Sequence, residues 1–349
     1  MLGLMSIDPI QLTRQLVDIE STTYHEARVG EFLAGYLAHL GYDVERQSVP
    51  QPDPAKNPDA GSGRRFNIYA SRPGMTPDLV LSSHMDTVPP FLGPCREDAE
   101  FLYGRGACDA KGIIAAQIAA AEKLAAAGKR IGLLYVVGEE RDSAGALVAN
   151  QTPRGSRFLI NGEPTENRLA LASKGCLRVE LRARGKMAHS AYPEMGESAI
   201  DKLLAVLHDI QALSLPVVEG IGDSTLNIGV LRGGVAPNVV PDNAEALLLI
   251  RLVGPSEEIQ EAILRAAAGR CEVHFTLKLP YMQLRAVPGF ETTVAKFTTD
   301  IPSLTAWGEP FLLGPGSILV AHTPDEHIRK SELLECVDLY VKLANSLLG

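Results

Sequence analysis

The stretch from Lys111 to Gly138 constrains the fold more than any other. KGIIAAQIAAAEKLAAA reads as an alanine-rich helix ended by Gly128, and IGLLYVVG follows as a nearly continuous apolar strand. A strand without polar alternation has no face to offer water, so it belongs inside a sheet covered on both sides. The surrounding chain repeats the theme. Residues 8–20 and 26–41 carry apolar positions at three- and four-residue spacing, the second run closed by Gly41. YDVERQSV, FNIYAS and LVLSSH are short strand patterns, and PQPDPAKNPDAGSGRR between the first two reads as a surface loop. This alternation predicts an α/β fold, a mostly parallel sheet flanked by helices.

The pattern changes near residue 174. CLRVELRARG, ESAIDKLLAVLHDIQAL, STLNIGVLRGG, NAEALLLIRLVG, SEEIQEAILRAAAG and CEVHFTLKLP read in turn as strand, helix, strand, strand, helix and strand. This β-α-β-β-α-β order is a complete small domain. The chain then returns to helix, strand and a long C-terminal helix. The expected division is 1–173 plus 286–349 for the larger domain, with 174–285 inserted in it.

With 33 Lys and Arg against 42 Asp and Glu, the net charge of -9 argues against nucleic acid, which needs a concentrated basic face. CLRVELRARG and STLNIGVLRG also lack the aromatic residues with which sheets of that order stack RNA bases. No window approaches the ~20 apolar residues of a membrane span, so no membrane partner is expected. MLGLMSIDPIQLTRQL shows no basic stretch leading into an apolar run, so the expectation is a short tail followed by a helix, without a signal peptide. Cys95, Cys108, Cys176, Cys271 and Cys336 are odd in number and scattered, which predicts free thiols in a reducing, cytoplasmic setting.

Five clusters offer His, Asp and Glu beside strand patterns, where parallel sheets bind ligands. His84 and Asp86 in HMD share one side of an extended backbone, so one could hold a metal and the other orient the ring. A solvated turn is the alternative. Asp109 lies in GRGACDAKG at a helix start, where it is equally an N-cap. Cys108 beside it reads as a small buried hydrophobe. Glu139 and Glu140 end the apolar strand IGLLYVVG, and adjacent carboxylates repel unless a cation compensates. One could bind metal while the other meets water; a polar strand end is the plain alternative. Glu163 in INGEPT is weak alone. His322 in LVAHTPDEHI follows an apolar strand pattern, with Asp325 and Glu326 read as helix-cap and dipole residues and His327 as helix surface. Together these residues exceed what one metal needs, which suggests two ions bridged by a carboxylate, with a further acid as base. Nitrogen and oxygen donors without thiolate suit Zn2+, with Co2+ or Mn2+ as alternatives.

The stretches SHMDTVP, YGRGACDAKG, VVGEERDSAGA, INGEPT, GKMAHSAYPE, GGVAPNVVPD and AHTPDE, in this order, resemble the zinc-dependent acetylornithine deacetylase / succinyl-diaminopimelate desuccinylase family, whose relatives include aminoacylases, carboxypeptidases and di- or tripeptidases. The resemblance runs from about residue 10 to the C-terminus. It implies a zinc-aminopeptidase-like catalytic domain with an inserted lid and dimerisation domain, and a homodimer formed through that lid. It further implies that His84 and Glu163 bind one zinc, that Glu140 and His322 bind the other, and that Asp109 bridges them. Asp86 would orient His84, and Glu139 would activate a zinc-bound water and protonate the leaving amine. His189 would polarise the scissile carbonyl, commonly across a dimer, and Asn238 and Arg251 would hold the substrate carboxylate. Ala110 departs from the Asp or Met common after the bridging aspartate, where the peptide bond is often cis.

The expected activity is hydrolysis of the amide bond of an N-acyl amino acid, in amino-acid biosynthesis. A di- or tripeptidase or carboxypeptidase of the same family is the first alternative. A non-catalytic metal- or amino-acid-binding protein is the alternative of another class.

Overall fold

The structure is a computed structural model that describes residues 7–55, 57, 59–61 and 63–349. The short tail expected at residues 1–6, and Lys56, Pro58 and Ser62 of the expected loop, lie outside the described residues. The chain divides into two compact units. One comprises Met1–Leu171, Leu284–Thr293 and Thr299–Gly349, the other Ala172–Gln283 and Val294–Thr298.

The first unit is built on a six-stranded sheet in the order Asp43–Val49, Arg65–Ser71, Ile131–Val136, Leu79–His84, Phe158–Asn161, Glu309–Leu312. The last four run parallel, and the first two add antiparallel strands at one edge. Ile131–Val136 is buried along its whole length, and alternation sends its residues to two cores. Leu133 and Tyr135 join Leu81, Ile118, Leu16 and Tyr340 on one face. Leu134 and Val136 join Val80, Leu159 and Trp307 on the other. The helix Lys111–Ala126 is buried on nearly every side because it lies between the sheet and the C-terminal helix Lys330–Leu348. Alanine suits that position by leaving room for close approach on all faces.

Leu79–His84 is central, and the chain leaves it for Ile131–Val136 on one side before returning to Phe158–Asn161 on the other. This reversal opens a crevice at the carboxyl ends of the three strands. Two glycines admit the turns there. Gly138, at φ +84°, takes a conformation that favours glycine, and a Cβ on it would stand 2.6 Å from Arg65 Nη2. A Cβ on Gly162 would stand 2.3 Å from Ile113 Cγ2.

The second unit is an antiparallel sheet in the order Thr225–Gly233, Asn243–Leu252, Gly175–Arg184, Cys271–Leu279. The helices Ala199–Gln211 and Glu257–Ala267 pack on one face, over Leu177, Val179, Leu181, Leu248 and Ile250. The opposite face of Gly175–Arg184 carries exposed Arg178, Arg182 and Arg184, as a period of two requires.

Two local readings are corrected. SILVA before His322 forms a turn rather than a strand, because the strand that completes the sheet is Glu309–Leu312. Pro324–Glu326 does not open the C-terminal helix, which begins at Lys330 after the short strand His327–Arg329. His327 is therefore no helix residue; its ring packs between Phe101 and Tyr103, at 5.0 and 5.5 Å between centroids. All five cysteines are free. Among the described residues, no helix is long and apolar enough to cross a membrane.

Beneath the crevice, Arg65 and Glu26 form an ion pair with both side chains fully buried. The guanidinium donates three bonds to the carboxylate and lies 4.8 Å from the centre of the Tyr24 ring. Removing one member of such a pair strands the other charge. Glu26→Ala is expected to lower stability by about 3–5 kcal/mol, read from denaturant unfolding. An unchanged midpoint would contradict this role.

Candidate metal centre

His84 ends its strand and is almost wholly buried. Its Nδ1 lies 3.0 Å from the backbone carbonyl oxygen of Asp86, which fixes the ring and turns Nε2 towards Asp109 Oδ1, at 3.0 Å. Glu163 Oε2 lies 3.9 Å from the same nitrogen. On the far side of Asp109, Oδ2 lies 3.3 Å from His322 Nε2, and Glu140 lies 3.1 Å from that nitrogen. Asp109 thus stands between the two imidazoles. Its peptide bond to Ala110 is cis.

His84, Asp109 and Glu140 each offer a ligand atom within 4.8 Å of the others. Ligands around a tetrahedral zinc stand about 3.3–3.5 Å apart, given metal–ligand bonds of ~2.0–2.2 Å. The spacing and the oxygen–nitrogen donor set therefore fit a divalent ion. His322 adopts φ +64°, a left-handed conformation that disfavours a side chain, and its ring is half exposed. The conformation brings the ring back onto Asp109 and Glu140.

Asp86 does something other than orient His84 chiefly through its side chain. Its carboxylate lies 3.6 Å from His84 Nδ1, longer than a hydrogen bond, and the backbone carbonyl is the nearer acceptor. The carboxylate instead accepts from the Thr23 hydroxyl at 2.8 Å and from the backbone N–H groups of Glu139 and Glu140 at 3.1 and 3.3 Å. It anchors the turn that presents both glutamates. The remaining expected residues lie in the second unit. His189 is exposed on the short strand Ala188–His189, with Nδ1 accepting from Ala191 N–H at 3.1 Å. Asn238 is exposed, and Arg251 is half buried on Asn243–Leu252. Among the described residues, no carboxylate pairs with Arg251, whereas Arg182, Arg232 and Arg285 pair with Glu180, Glu245 and Glu309.

A sixth carboxylate belongs to the crevice. Asp300 is almost fully buried, and among the described residues neither of its oxygens has a hydrogen-bond partner. Burial pushes its carboxyl up to about 7, with Asp86 and Asp142 adding to the rise against His84 and Ser143. In sequence, an isolated aspartate before Ile-Pro carries no sign of this.

The electrostatics are those of uncompensated negative charge. Burial pushes Glu139 and Glu163 well above the ordinary carboxylate range, each reinforced by neighbouring acids that include Asp300. Hydrogen bonds to Asp109 and Glu140 hold His322 up at about 10. Burial opposes charge on His84, yet its bond to Asp109 and the nearby carboxylates of Asp86 and Glu163 raise it well above its usual value. Glu139, Glu140, Glu163, Asp300 and the two imidazoles hold protons more tightly than usual, while the histidines keep Asp86 and Asp109 below the ordinary carboxylate range; a divalent cation can displace those protons. Cys108 takes no part. Burial pushes its thiol well up, and its sulfur makes only long contacts with Ser317 and Glu326.

The profile of peptidase family M20/M25/M40 matches residues 80–346. A probable carboxypeptidase from Ajellomyces capsulatus is 37% identical, over 97% of this chain and 86% of its own length. One from Paracoccidioides lutzii is 38% identical, over 98% and 86%. Among solved structures, a tripeptidase from Staphylococcus aureus superposes with a TM-score of 0.78 at 21% identity, covering 98% of this chain and 99% of its own. A metallo-carboxypeptidase from Sulfolobus solfataricus superposes with a TM-score of 0.74 at 15% identity, covering 98% and 100%. The structural likenesses speak to the fold alone.

Asp300 supplies a pH test on metal-free protein. Its folded-state affinity for a proton exceeds the unfolded one, so stability falls as pH rises from the unfolded value near 4 through about 7. Asp300→Asn lacks this cost. In chelator, it should be more stable than the parent by roughly 2–4 kcal/mol at pH 8 and gain little at pH 4.5, judged by unfolding curves. An equal difference at both pH values would exclude the buried ionisation.

Proposed function

The chain belongs to peptidase family M20/M25/M40 and is a metallohydrolase, and from that premise we propose that it is a carboxypeptidase, releasing a C-terminal residue from a short peptide. The observation that carries the reading is the buried surplus of carboxylate around His84 and His322. His84, Asp109, Glu140, Glu163 and His322 would hold two divalent ions with Asp109 shared between them, and their donor types favour zinc over cobalt or manganese. When bound, such ions make hydroxide available at neutral pH and polarise the scissile carbonyl.

The protein's own groups divide the remaining work. Glu139 makes no ion pair among the described residues, and its high proton affinity suits it to take a proton from the attacking water. It then returns that proton to the nitrogen as the C–N bond breaks, leaving a carboxylate and a free amine. Asp86 keeps Glu139 in place through the backbone amides it binds. His189 would donate to the carbonyl oxygen as charge builds on it, a contribution of about 10²–10³ in rate for one such donor. Arg251, which has no carboxylate partner among the described residues, and Asn238 would hold the substrate's terminal carboxylate. The second unit would then serve as a lid and, through a homodimer, carry His189 to its place in a cytoplasmic enzyme.

Carboxypeptidases and N-acyl amino acid deacylases cleave the same bond, an amide whose nitrogen belongs to a residue with a free carboxylate. The motif resemblance favours deacylation. The named relatives, 37–38% identical over nearly the whole chain, favour the carboxypeptidase. A panel of dipeptides, C-terminally amidated dipeptides, and N-acetyl and N-succinyl amino acids on metal-loaded protein should show hydrolysis of the free dipeptides and none of the amides. Preference for the acyl amino acids would transfer the assignment to the deacylase. Glu139→Gln should retain bound metal and lose about 10²–10⁴-fold in kcat; full turnover in that variant would remove Glu139 as the base.

A further inference from the structure

Glu326 lies four residues beyond His322 and is almost completely buried. Its Oε1 accepts from the backbone N–H of Gly106 at 2.8 Å and of Asp109 at 3.3 Å. Its Oε2 meets Arg105 Nη1 at 2.5 Å, with that guanidinium also buried. Arg105 donates further to the carbonyl oxygens of Thr323, beside His322, and of Pro90. The backbone repeats the link, since Gly104 N–H donates to the Glu326 carbonyl at 3.0 Å. The loop 104–109 therefore wraps around one side chain of the loop 322–326. Gly106, at φ +87°, lets it do so, since a Cβ there would meet Lys111 Cδ at 2.8 Å. Each loop carries one proposed ligand, and Asp109 Oδ2 and His322 Nε2 end 3.3 Å apart.

We propose that Glu326, clamped by Arg105, is a positioning residue that sets the distance between Asp109 and His322 and thereby the affinity for the ion those two share with Glu140. It touches neither substrate nor metal. A carboxylate is needed because Arg105, two backbone amides and, at 3.8 Å, the Cys108 thiol donate to it and none accepts. Glutamine has the same shape but would turn an amide N–H₂ towards Arg105 or towards the backbone amides. Either choice breaks the clamp and frees one loop from the other. His84 and Glu163 are held by other elements, the strand Leu79–His84 and the turn after Phe158–Asn161, so the ion between them should feel little of this.

The inference rests on the two-ion reading above, and zinc titration of the purified full chain, followed by calorimetry and by metal content after dialysis, separates the two. The unsubstituted protein should bind two zinc ions; fewer would overturn that reading and this inference together. Glu326→Gln should bind one ion about 10–100-fold more weakly and the other within about threefold, the range for partners that orient a ligand. Arg105→Lys keeps a cation beside the carboxylate and should weaken the same ion by a smaller factor. A purely structural role would lower the thermal midpoint of the metal-free protein and leave both affinities unchanged. That result, or equal weakening of both ions, would overturn the clamp while leaving the two-ion reading intact.

Discussion

Three neighbouring parallel strands, Ile131–Val136, Leu79–His84 and Phe158–Asn161, end at one edge of the sheet, and each hands over to a residue or turn that carries an acid or an imidazole. Charge repulsion among those groups is the constraint that organises everything around them. Two carboxylates about 4 Å apart near a protein surface repel by about 4 kcal/mol at an effective dielectric of 20. Asp86, Asp109, Glu139, Glu140, Glu163 and Asp300 share this edge with only two histidines. Such a group stays together because the fold holds it and because cations, as protons or metal, can enter it.

The supporting acids, Asp86 of the cluster among them, are treated differently from Glu139, Glu163 and Asp300. Glu26 has Arg65, and Glu326 has Arg105 and two backbone amides. Asp86 has Thr23 and the amides of Glu139 and Glu140. Each of these carboxylates is satisfied by fixed donors and serves to locate a neighbour. Among the described residues, Glu139, Glu163 and Asp300 are left without such donors. An acid without a fixed partner is one that can exchange a proton or take a cation, and that difference separates the chemistry from its scaffolding.

The second unit has its own core and its own sheet, and its chemistry is of another kind. Its sheet carries exposed Arg178, Arg182 and Arg184 and the half-buried Arg251, which among the described residues pairs with no carboxylate. A family whose members cleave many amides can keep one metal edge and vary what surrounds the substrate, which is why the reaction class is better defined than the substrate.

Much of this was legible in the chain. The uninterrupted apolar run of IGLLYVVG and the alanine-rich helix before it required a sheet covered on both faces, and the β-α-β-β-α-β pattern appeared as six separate periodic segments. Residue type and position also marked His84, Asp109 and the pair Glu139–Glu140 as candidates, and the family resemblance chose Glu140; His84, Asp109 and Glu140 stand within 4.8 Å of one another. These are local signals, written in periodicity and in where a polar residue interrupts an apolar run. Only the tertiary structure could decide what distant segments do to each other. Folding buries Asp300 beside acids more than 130 positions away, and Glu326 reads as a helix cap until the loop 104–109 closes on it. Asp86 turned out to serve two backbone amides more than His84. The physical reason is the same in each case: burial and hydrogen-bond partners are properties of a three-dimensional neighbourhood, and a carboxylate's role depends on that neighbourhood more than on its own place in the chain.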